Sequence, residues 1–166
     1  DSISKVFVRS KNNDKLVFEA YKIFKFNEIN VGVIGLINPN LGDIVLPHNL
    51  GNTTLINPIE ALHKTIEEIK DLADIIILLT SAGVPWDRDE VYDDFLDKVD
   101  RDDIDYNVLN AIELGYFASG VDLIVSGGIS KGYPMPWYDP NSHVYIMQGN
   151  CFQVVPARLE MLKLEV

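Results

Sequence analysis

Apolar residues in this chain gather into short unbroken runs, separated by polar stretches and by stretches bearing glycine and proline. Three runs stand out: Val31–Leu36 (VGVIGL), Ile75–Thr80 (IIILLT) and Leu123–Val125 (LIV). Runs of this length without alternation predict strands covered on both faces. The glycines in the first run predict close approach of a neighbour, or a weaker strand. Between the first two runs, Ile59, Leu62, Ile66 and Ile69 recur at helical spacing and predict a helix over Pro58–Ala73. Asn57 is placed to cap it and Pro58 to open it. Between the second and third runs, Val108, Leu109, Ile112, Tyr116 and Phe117 predict a helix over Tyr106–Ser119, which Gly120 ends. The resulting order is a βαβαβ core with parallel strands.

The flanks read as further strands. Ser4–Arg9, Leu16–Phe18 and Tyr21–Phe26 carry the aromatic and β-branched residues that suit a pleated surface. Polar turns separate them. Residues 37–57 form a long loop, of the kind that often carries function. Pro134, Pro136 and Pro140 argue against regular structure through Asn141, and His143–Gln148 and Arg158–Val166 read as closing strands. The whole is one α/β domain over residues 1–166, a mixed sheet with helices on one face.

Composition adds limits. At 166 residues, 47% hydrophobic and 23% charged, the chain fits one globular core. A net charge of −11 argues against nucleic acid as a partner. No apolar run approaches the length of a membrane span. Cys151 is the single cysteine, so no internal disulfide forms. The first residue is Asp1 rather than methionine, which leads us to expect a processed or excised piece. The acidic stretch Asp87–Asp105 invites a calcium reading, because Asp103, Asp105 and Asn107 imitate the start of an EF-hand loop. However, Val108 stands where that loop needs glycine and Glu113 falls one position early. The stretch reads instead as a solvated acidic helix and loop.

Candidate chemistry lies in the loops that follow the apolar runs, since α/β sheets place ligands at the carboxyl ends of their strands. One such loop is Ser126–Tyr133 (SGGISKGY), which reads equally as a ligand loop or as a plain glycine turn. The other is Thr80–Asp87 (TSAGVPWD). His48, without a partner at ligand spacing, reads as a surface residue, and His63 as structural or solvated. Ser81 as a nucleophile would need a base, and none stands at a recognisable spacing. Asn52-Thr53-Thr54 matches a glycosylation acceptor, which matters only in a secreted eukaryotic protein.

Taken together, these pieces resemble the second half of a calcineurin-like metallophosphoesterase domain of the 5′-nucleotidase type. The resemblance rests on VGVIGLINP, NPIEAL, IIILLTSAGVPWD, VDLIVSGGISKGY, PWYDP and the closing RLEMLKLEV, and spans nearly the whole chain. It implies half of a four-layer α/β/β/α sandwich. It also implies a two-metal site, manganese or zinc, that clamps a phosphate and activates water. The family's histidines from this half fall on Ser81, Gly128 and Ser130, and none is histidine here. Shifting the register by one places Ile129 and Lys131 in the second loop, with no better chemistry. The family's first half, with its own ligands, has no counterpart before Val31. The resemblance therefore implies a hydrolase fold with no metal cofactor and no catalytic residue, with Asn38, His48, Asp87, Lys131 and Tyr133 as pocket candidates.

Two other readings follow. The chain could be completed by a first half on another chain, with His48, Asp87 and His143 as ligands. It could also pair with itself. In the family each sheet covers the other, whereas the two helices read here cover one face only. Several of Val31, Val33, Ile76 and Leu78 are then expected on an open apolar face, closed by a homodimer, by a first-half partner or by the loop 37–57. An exported, periplasmic or extracellular location is what the resemblance implies.

Overall fold

The computed structural model describes residues 8–10, 19–38, 40, 45–50, 53–128, 133 and 135–149. Its elements in chain order are β1 (Val8–Ser10), β2 (Tyr21–Phe26), β3 (Ile29–Leu36), α1 (Pro47–Leu50), β4 (Thr53–Leu55), α2 (Pro58–Ile69), β5 (Ile75–Thr80), α3 (Arg88–Asp100), α4 (Ala111–Tyr116), β6 (Leu123–Ser126), β7 (Trp137–Tyr138) and β8 (Tyr145–Gln148). Six strands form one mixed sheet in the order β2-β3-β5-β6-β8-β7. β3, β5, β6 and β8 run parallel, and β2 and β7 are antiparallel edges. β1 pairs with β4 in a separate two-stranded ribbon.

The three apolar runs are the central strands, adjacent and parallel as expected. α2 begins where Asn57 accepts hydrogen bonds from the amides of Ile59 and Glu60, and it ends at Ile69 rather than Ala73. α2 lies over β3. A Cβ at Gly32 would sit 3.0 Å from both Ile69 and Ala73, so the close neighbours there are side chains. α4 packs on the same face, where Gly115 admits Ile146 within 2.5 Å of the space a Cβ would fill. On that face Ile34, Leu78, Ile124 and Ile146 are fully buried or nearly so.

Several expectations need correction. The second helix covers Ala111–Tyr116, not Tyr106–Ser119. Asn110 and Glu113 form a reciprocal cap, and Asp105 turns the chain just before it by accepting from the amide of Asn107. The acidic stretch does supply a helix, α3, as expected, although Tyr92 and Phe95 give it a buried side rather than full solvation. Loop 37–57 contains α1 and β4. The proline-bearing stretch through Asn141 is not wholly irregular, since Trp137 and Tyr138 pair with β8 between the prolines. Arg158–Val166 and Leu16–Phe18 lie outside the described residues.

Among the described residues no helix covers the second face of the sheet, as expected, but its parity is shifted. Registers place Val31, Val33, Ile75, Ile77, Leu79, Leu123, Val125 and Met147 on the side away from α2 and α4. Ile76 and Leu78, expected there, are 4% and 0% exposed on the helix side. Phe24 and Phe26 extend the open face at one edge, and Tyr138 and Tyr145 at the other.

Two carboxylates stitch the amino edge of the sheet. Asp74, just before β5, accepts from the amide of Asn30 at 2.7 Å, and Asp122, just before β6, accepts from the amide of Ile76 at 2.7 Å.

Candidate functional site

The carboxyl ends of β3, β5 and β6 bring Asn38, Ser81 and Gly128 together. The Asn38 side-chain amide donates to the Ser81 carbonyl at 3.2 Å, while its carbonyl oxygen accepts from the Asn40 amide. Gly128 has φ of +97°, in the region that favours glycine. A Cβ there would overlap the Ser81 carbonyl oxygen and stand 3.1 Å from the Ser81 carbonyl carbon. Around this contact the loop amides are taken up inside the protein. Gly127 donates to the Thr80 carbonyl at 2.9 Å, Gly83 to the Ser126 hydroxyl at 3.0 Å, and Val84 to the Gln148 side chain at 2.7 Å.

A second cluster lies alongside. The Tyr133 hydroxyl donates to the Pro85 carbonyl. The Arg88 guanidinium lies 4.5 Å from the centre of the Tyr133 ring and 5.8 Å from that of Trp137, and donates to the Met135 carbonyl. Loss of solvent raises the Tyr133 pKa, Arg88 opposes that shift, and the nearby Asp87 adds to it. Asp87 precedes α3 without capping it through its side chain.

The other sequence candidates stand apart. His48 is exposed on α1. His63 contacts the Phe117 carbonyl at 2.8 Å through Nε2, a structural role. Nδ1 of His143 meets the Tyr138 hydroxyl at 2.8 Å on the β7–β8 hairpin. Ser130 and Lys131 lie outside the described residues. Sequence reasoning missed Arg88, Ser126 and Gln148. The signal for Arg88 was a cation directly after Trp86-Asp87, at the head of an acidic run. Ser126 and Gln148 are the last residues of their strands, where side chains reach the loops.

A pair of divalent cations does not fit these residues. Ser81 supplies one weak neutral hydroxyl oxygen and Gly128 no side chain at all, whereas manganese and zinc sites draw on imidazole and carboxylate. Among the described residues no group of three or more His, Cys, Asp or Glu is arranged to hold a metal ion.

No family model matches the sequence, and no curated protein does. Solved structures match the fold. The calcineurin-like phosphoesterase YfkN of Bacillus subtilis superposes with a TM-score of 0.63 at 18% identity, over 88% of this chain and 46% of that one. The sulfate thiohydrolase SoxB of Thermus thermophilus gives 0.60 at 18% identity, over 89% of this chain and 22% of that one. A Staphylococcus aureus protein named as a 5′-nucleotidase gives 0.55 at 16% identity, over 89% and 26%. The chain therefore spans less than half the length of each. Its fold is that of one part of a metallophosphoesterase of the 5′-nucleotidase kind, a mixed α/β half-domain.

Proposed function

We propose that this chain is a metallophosphoesterase-fold half that binds and supports a partner sheet and does not itself carry out metal-dependent phosphoester hydrolysis. The observation that carries this reading is the chemistry at the carboxyl edge. The positions matching the family's ligand loops hold Ser81 and Gly128, and neutral hydroxyl and bare backbone do not replace imidazole on a divalent cation. The framework around those positions is kept, so binding by the fold survives without the reaction.

The open sheet face supports the partner. Five strands of about five residues, at about 4.8 Å between strands and 3.3 Å per residue, span roughly 400 Å². A mainly apolar patch of that size is in the range where monomer surfaces are often functional. A complementary first half, or a second copy in an isologous dimer, would each cover it. Light scattering of the parent and of Ile77→Asp checks this: association that the substitution abolishes is expected, and a strictly monomeric parent that also ignores the missing half would overturn it.

Catalysis is tested by elemental analysis after dialysis against a chelator, together with nucleotide hydrolysis in added manganese. No retained metal and no turnover are expected. Stoichiometric manganese or zinc, or hydrolysis by the chain alone, would sink the reading. Hydrolysis that appears only on mixing with a first half would support the alternative of an enzyme completed by another chain.

A further inference from the structure

We infer that the loops after β5 and β6 are closed into a backbone clasp that glycine at position 128 permits, so the imidazoles a metal pair needs cannot be restored by direct replacement. The inference deepens the metal-free reading and rests on it for its meaning, but its evidence is backbone geometry rather than ligand chemistry. At Gly128 the chain has positive φ, and the space a Cβ would occupy is filled by the Ser81 carbonyl. That carbonyl is held there. The Asn38 side chain donates to it, and the Gly127 amide fixes the other loop to Thr80 one residue earlier. Ser126 and Gln148 bind the amides of Gly83 and Val84, so the β5 loop is tied at several points to β6 and β8. A side chain at 128 would have to push a main-chain carbonyl, not the end of a flexible side chain. The two ligand positions have thus been packed against one another, and one backbone occupies the room the other's ligand would need. Ser81, by contrast, is exposed, and its own side chain is not what closes the contact.

The adjacent glycine provides an internal control. A Cβ at Gly127 would meet nothing within 4 Å. We therefore expect Gly127→Ala and Ser81→His to unfold at the parent temperature. Gly128→Ala and Gly128→His should each lower Tm by roughly 5 °C or more, from positive φ and overlap combined. Calorimetric titration of Ser81→His/Gly128→His with manganese and with zinc should show no binding above that of Ser81→His alone. Equal Tm values for Gly127→Ala and Gly128→Ala would overturn the clasp, and so would a double variant that keeps the parent Tm and gains a metal. Metal bound by the unaltered chain would instead overturn the metal-free reading, so the two failures are distinguishable.

Discussion

Ile76 and Ile77 are neighbours on β5 with the same side chain, yet Ile76 is buried under the helices and Ile77 is half open on the other face. The same division runs across the sheet. Ile34, Leu78, Ile124 and Ile146 lie on the side of α2 and α4, while Val33, Ile77, Leu123 and Tyr145 lie on the other side, which none of the described helices covers. Composition does not distinguish these faces; coverage does. The covered face builds the core of this chain, and the other face carries the apolar surface on which we propose that a partner sheet docks.

Substitutions that exchange the properties of the faces test this division. The largest effect is expected from Ile76→Asp, which places an unpaired carboxylate in the core. A cost of several kcal/mol is comparable with the roughly 5–15 kcal/mol that holds a domain together, so circular dichroism should report an unfolded chain. Leu78→Ala should cost about 2–5 kcal/mol in urea unfolding, and Leu79→Ala, one residue on, distinctly less. Ile77→Asp, at a half-buried position of a central strand, should cost the isolated chain about 1–2 kcal/mol, far less than Ile76→Asp. Its larger effect should appear in association.

A smaller difference is expected with pH. Glu113 of α4 is pushed above its ordinary pKa of 4.5, chiefly by burial and against the hydrogen bond from the Asn110 amide and the nearby Lys98. The folded state then holds this proton more tightly than the unfolded state. Its stabilising contribution is complete below the unfolded value and declines as pH rises through the folded one. The parent should therefore lose stability relative to Glu113→Gln as pH rises from about 4 towards neutrality, measured as the difference in urea midpoints. The strand residues of the open face include no carboxylate and should add nothing to that difference.

Much of this fold was legible. Val31–Leu36, Ile75–Thr80 and Leu123–Val125 read as buried strands because unbroken apolar runs have few other uses. Which residues face the helices was not legible, for the same reason: a strand apolar on both sides shows no alternation, and Ile76 and Leu78 were placed on the wrong one. The start of α4 was hidden because Asp105, Asn107 and Asn110 are all plausible caps, and only Asn110 finds its glutamate three residues on. Ser81 and Gly128 were read as the positions where the resembled family carries histidine. Their mutual contact was not, since it depends on how two distant loops meet at the sheet's edge.

The stitched amino edge has a consequence for how the chain finds this arrangement. In most sheets a one-residue slip between strands is punished at once, because it turns polar groups inward. Here a slip of β5 would exchange Ile76 and Leu78 for Ile75, Ile77 and Leu79, and the core would scarcely notice. The hydrophobic pattern therefore fixes the register weakly, and the carboxylates supply the missing information. Asp74 recognises the amide of Asn30, and Asp122 that of Ile76, so β5 and β6 each arrive with a marker for the preceding parallel strand. Removing both markers, with Asp74→Ala and Asp122→Ala, should leave the chain able to collapse but slow to settle, with misregistered species seen as additional slow phases in refolding.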